Sequence, residues 1–113
     1  MTQRNDHTVD RNPAMTRDAQ VMLRNMLGGH SAATLLASRH WPTSLREQMT
    51  NLCREARHNQ IPIEQLLVCI KRAWRTVPHA RIALGEYGED VLTSLVTICI
   101  EEYFADAERT RNA

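Results

Sequence analysis

Between Pro62 and Pro78 the apolar residues Ile63, Leu66, Leu67, Ile70, Ala73, Trp74 and Val77 recur every three or four positions. On a helical wheel they fill one arc of about 120°, the width of the stripe that a surface helix turns toward a core. The prolines set its limits: Pro62 suits the first helical position, where its missing N–H has no partner to lose, and Pro78 ends the run. A one-faced helix is stable only against other apolar faces, so the rest of the chain has to provide them.

Two flanking segments do so. Ser44-Leu45-Arg46-Glu47 reads as a capping box, and Leu45, Met49, Leu52, Cys53 and Ala56 follow as a narrow stripe as far as the turn Asn59-Gln60-Ile61. Downstream, Glu89 and Asp90 complement the positive end of a last helix. Its apolar residues Val91, Leu92, Leu95, Val96, Ile98, Cys99, Ile100, Tyr103 and Phe104 spread over about 240° of the wheel, so it needs cover on two sides. The loop 79–88, with Ile82, Leu84 and Tyr87, is expected to lie back over the core. Nearer the start, Ala19, Met22, Leu23, Met26 and Leu27 form a further helical arc, with Thr16 as its N-cap and Gly28-Gly29 as its end. A short helix over 31–39 is broken by Trp41-Pro42. The expectation is an all-α fold: a three-helix bundle over about residues 43–107, preceded by a helical hairpin over about 16–39. With 113 residues there is room for one domain, 15–108, between flexible tails 1–14 and 109–113.

Composition narrows the function classes. Fourteen basic and 13 acidic residues leave a net charge of +1, which provides no global field to gather DNA or an anionic membrane. Nucleic acid and membrane are therefore not the expected partners. The start of the chain has no apolar stretch resembling a signal peptide, and the uncharged apolar run 91–100 is half the length of a bilayer span, so a soluble, cytoplasmic protein is expected. Thirteen of the 14 basic residues are arginine, which suggests a GC-rich bacterial genome. Cys53, Cys69 and Cys99 are odd in number and widely spaced within helical patterns, which fits reduced thiols used as small hydrophobes better than a zinc site.

No catalytic constellation emerges. There is no G-x-S-x-G elbow and no phosphate-binding loop, and none of His7, His30, His40, His58 and His79 has a cysteine partner at helical spacing. His58 is the one candidate for a phosphotransfer histidine, but it lies at a helix end without a nearby lysine. Glu101 and Glu102 point about 100° apart and do not face each other. No enzyme, metal or cofactor is expected.

Two polar or apolar asymmetries remain. Residues 65–85 carry Lys71, Arg72, Arg75 and Arg81 and no acid, whereas 86–113 are net acidic, so the two helices are expected to pair their charges along a shared seam. The alternative is a basic patch for phosphate or an acidic partner. A helix-turn-helix spans Ala56 and helix 62–77 in spacing, but Ile63, Leu67 and Val68 occupy positions where a base-reading helix needs Arg, Asn or Gln. Val68 falls on the polar face of its helix. In the last helix, Val91, Leu95 and Ile98 suffice to meet the other helices, and Val96, Ile100 and Phe104 form a separate strip. That strip is covered by the first helix, through Met22, Met26 and Leu27, or by another chain. The expected function is a non-enzymatic helical interaction module, a small regulator acting as a homodimer or by docking on another protein; a DNA-binding regulator and a histidine phosphotransfer-like protein are the alternatives.

Overall fold

A computed structural model describes residues 11–77, Ile82 and residues 84–112, and among these the chain is all-α with no strand. Among the described residues five α-helices have defined ranges: α1 (Pro13–Gly29), α2 (Ala32–Leu36), α3 (Thr43–His58), α4 (Ile63–Arg75) and α5 (Gly88–Asn112). Short 3-10 turns lie at Ser38–His40 and Gly85–Tyr87.

The helix starts differ in detail from the expectations. α1 begins at Pro13, with Asn12 in the cap position, three residues before Thr16. Thr16 is thus inside the helix and buried, and its hydroxyl has no hydrogen-bond partner. The helix takes in Pro13 and Ala14, the last two residues of the expected tail, both exposed, and Met15 just after them is buried. At α3 the helix begins at Thr43 after Pro42, which puts Ser44 at the second helical position. From there its hydroxyl cannot reach back to the first-turn amides, and no capping box forms. Ser31 does cap α2, its Oγ accepting from the Thr34 amide at 3.2 Å.

The turn between α3 and α4 is closed by backbone bonds. The Ile61 amide donates to the Ala56 carbonyl at 2.8 Å and the Gln60 amide to the Arg57 carbonyl at 3.0 Å. Gln60 takes the left-handed conformation, φ 60°, that this C-terminal motif demands and that glycine usually supplies. Ile61 is buried just beyond it.

The principal pairings skip a neighbour in sequence: α1 lies mainly against α4, and α3 mainly against α5, with lesser contacts of α2 to α5, of α1 to α3 and of α4 to α5. The first helix is therefore an integral wall of the core. Met22, Leu23 and Met26 of α1, Leu45, Met49 and Cys53 of α3, Leu66, Ile70 and Trp74 of α4, and Val91, Leu95 and Ile98 of α5 are all buried in one cluster. Trp41 joins them, its indole N–H donating to the Leu35 carbonyl at 3.0 Å and so satisfying the end of α2. Leu84, from the segment before α5, is buried too, while Ile82 and Tyr87 are exposed. No described helix is long and apolar enough to cross a membrane.

Candidate interaction surface

The wide apolar spread of α5 resolves into two faces. On the inner face Val91, Leu95, Ile98 and Cys99 are fully buried. Polar contacts on the same side fix the helix against rotation. Glu102 accepts from Arg46 Nη1 at 3.1 Å and from the Thr50 hydroxyl at 2.9 Å, both on α3. The Tyr103 hydroxyl donates to the Ile61 carbonyl at 2.9 Å, and the Arg57 guanidinium lies 5.7 Å from the Tyr103 ring centroid. The Cys53 thiol donates to the Cys99 carbonyl at 3.4 Å.

With the inner face so held, the opposite face is directed outward. Ile100 is 38% exposed and Phe104 51%, and Val96 is half-buried beside them. The Phe104 ring stands edge-on to Tyr103 with 5.4 Å between centroids, so it is braced in place. Thr93 and Thr97 are exposed on the same side, and each hydroxyl donates to the carbonyl four residues earlier, Glu89 at 3.0 Å and Thr93 at 2.9 Å. Their hydrogen-bonding demand is met within the helix. Sequence reasoning picked out Val96, Ile100 and Phe104 but passed over these threonines; the signal for them was the 4-3-4 spacing of Thr93, Thr97, Ile100 and Phe104. The first helix does not serve this strip as a cover, because its Met22 and Met26 are buried in the core and its main partners are α4 and α3.

The basic residues form a looser group. Lys71 and Arg75 are exposed on α4 and Arg72 is half-buried; Arg81 lies outside the described residues. Glu64 and Val68 share the exposed surface of α4 with them, so that face mixes an acid and a valine with its cations. The ion pair Arg46–Glu102 joins α5 to α3.

A groove of about 310 Å³ runs between α1 and α3 over Met22 and Leu52, edged by Asp18, Asn25, Asn51 and Glu55. Gln48 also lines it, and its side-chain oxygen is buried without a hydrogen-bond partner. The three cysteines are buried as free thiols, with the Cys53 and Cys99 sulfurs 4.0 Å apart. Among the described residues no group of three His, Cys, Asp or Glu side chains is placed to hold a metal ion. His40 and His58 are exposed and His30 half-buried; His7 and His79 lie outside the described residues. Comparison with protein-family models, with characterised proteins and with solved structures finds no match to this chain.

Proposed function

We propose that this protein is a non-enzymatic helical interaction module that acts by self-association through the outer face of α5. The observation that carries the reading is the apolar strip in which Ile100 and Phe104 are exposed and Val96 is half-buried beside them, on a helix held to α3 by Glu102 and Cys99 on the other side. Apolar side chains scattered singly on a surface need no explanation, but a contiguous strip on one helix is the kind of feature that marks an interface. Two helices of a two-fold dimer present the same strip to each other, which makes a self-complementary contact from a single sequence. The threonines on the strip add to this, since they bring no unpaired hydroxyl into a dry contact.

Light scattering at tens of micromolar is expected to give about twice the 13.0 kDa chain mass. Ile100→Glu places a charge in the middle of the strip and is expected to return the monomer with its helical content unchanged. A wild-type chain that scatters as a monomer at that concentration overturns the proposal.

A further inference from the structure

We infer that Cys53 and Cys99 are an oxidisable pair that closes to a disulfide within the chain and locks α5 to α3. Their sulfurs lie 4.0 Å apart across the contact between the two helices, and both side chains are fully buried. The Cys53 thiol is already turned toward the other residue, donating to the Cys99 carbonyl at 3.4 Å. Glu102, one helical turn beyond Cys99, accepts from Thr50, one turn before Cys53, at 2.9 Å and from Arg46 at 3.1 Å, so polar contacts beside the sulfurs hold the helices in register. Closing to the disulfide distance of about 2.05 Å takes side-chain rotation shared between the two residues. The third cysteine belongs to the other principal pair of helices: Cys69 lies on α4, with its Sγ 3.9 Å from the Asn12 carbonyl at the start of α1.

The oxidant is a hydroperoxide, small enough to enter when α5 opens locally from α3. One sulfur attacks a peroxide oxygen: an S–O bond forms, the O–O bond breaks, and the departing hydroxide takes the thiol proton to leave as water, giving a sulfenic acid. The second sulfur then attacks the first, forming the S–S bond and breaking the S–O bond, and the departing hydroxide takes the second thiol proton. Two thiols and one hydrogen peroxide thus give one disulfide and two waters, with two electrons passing from the sulfurs to the peroxide. Burial slows the first step, because the peroxide has to wait for the opening. The second step is fast, because the attacking group is already adjacent. The sulfenic acid is therefore consumed before a second peroxide can carry it to the irreversible sulfinic acid. The disulfide is uncharged, so the core takes it without burying an ion. The link joins positions 46 residues apart in a single chain, so it stands whether or not α5 meets a second copy.

The full chain, reduced and then treated with hydrogen peroxide under native conditions, is expected to fall from three free thiols to one and to recover all three on treatment with dithiothreitol. Its mass is expected to drop by about 2 Da, the two hydrogens lost in forming one disulfide. Digestion and mass spectrometry are expected to return a peptide linked through Cys53 and Cys99, with Cys69 still a thiol. Cys69→Ala is expected to form the same link at an unchanged rate. Because the link restricts the unfolded chain, the urea midpoint of the oxidised protein is expected to lie above that of the reduced protein. A disulfide that includes Cys69 or joins two chains, sulfinic acid at Cys53 or Cys99 in place of the link, or an oxidised midpoint below the reduced one overturns the inference. So does a folded chain that keeps all three thiols at a peroxide dose that oxidises the urea-unfolded chain.

Discussion

Two residues in this fold are held at a cost that a single substitution would relieve. The Thr16 hydroxyl is buried in α1 without a partner, and a buried hydroxyl left unpaired costs about 1–3 kcal/mol. Valine has the same branched shape without the hydroxyl, so Thr16→Val is expected to raise stability by about 1 kcal/mol, measured as a shift of the urea midpoint at constant slope. Gln60 is the second case: its left-handed backbone costs an L-residue about 1–2 kcal/mol that glycine avoids, offset in part by glycine's greater freedom in the unfolded chain. Gln60→Gly is expected to stabilise by about 0.5–1 kcal/mol, and a loss in the same titration contradicts the turn geometry. Neither position was legible in the sequence. Thr16 was read as a cap because its type favours caps, but Pro13, already suited to a first helical position, opens the helix earlier and carries Thr16 into the core. Asn59-Gln60-Ile61 was recognised as a turn, whereas which of the three takes a positive φ depends on how Ile61 has to reach the core.

At the scale of elements, legibility followed the strength of the periodic pattern. The stripe of α3 is buried residue for residue, Leu45, Met49, Leu52, Cys53 and Ala56, and on α4 Leu66, Ile70, Ala73 and Trp74 are buried while Ile63 and Leu67 at the edge of the arc are half-buried. Ile70 is fully enclosed, so Ile70→Ala is expected to destabilise by about 2–5 kcal/mol, read from chemical denaturation; a variant of wild-type stability would place the core elsewhere. The boundaries were less legible, because they depend on local backbone geometry more than on pattern. Trp41 was read only as part of a helix breaker, yet it is buried and bonded to Leu35; its role arises from α2 being only five residues long, which leaves a carbonyl at its end within the indole's reach. On α5 the strip Val96, Ile100 and Phe104 was legible as apolar surplus because the inner stripe already sufficed for packing. That the strip stays open followed only from the partners chosen by α1.

For the molecule as a whole, the sequence indicated all-α architecture but not which helix meets which, since an apolar stripe gives a direction and not a partner. The bundle expected from residue 43 onward treated α1 as an accessory. In the fold, α1 is the main neighbour of α4 and buries Met15, Ala19, Met22, Leu23 and Met26. A chain shortened to begin at Ala37 is accordingly expected to lose its cooperative thermal transition, leaving α4 with its apolar face uncovered; a sharp transition in that fragment would show that residues 43 onward suffice. The same pairing of helices that are distant in sequence also sets an order of events during synthesis. Contacts between distant segments form only after a long loop has closed, so folding is expected to be slower than for a bundle of the same size whose consecutive helices pair. At about 5–20 residues per second, the segment between Gly29 and Arg75 takes several seconds to be made. Throughout that interval α1 has left the ribosome's tunnel ahead of its partner with its methionines uncovered, and the nascent chain is most open to capture by a chaperone then.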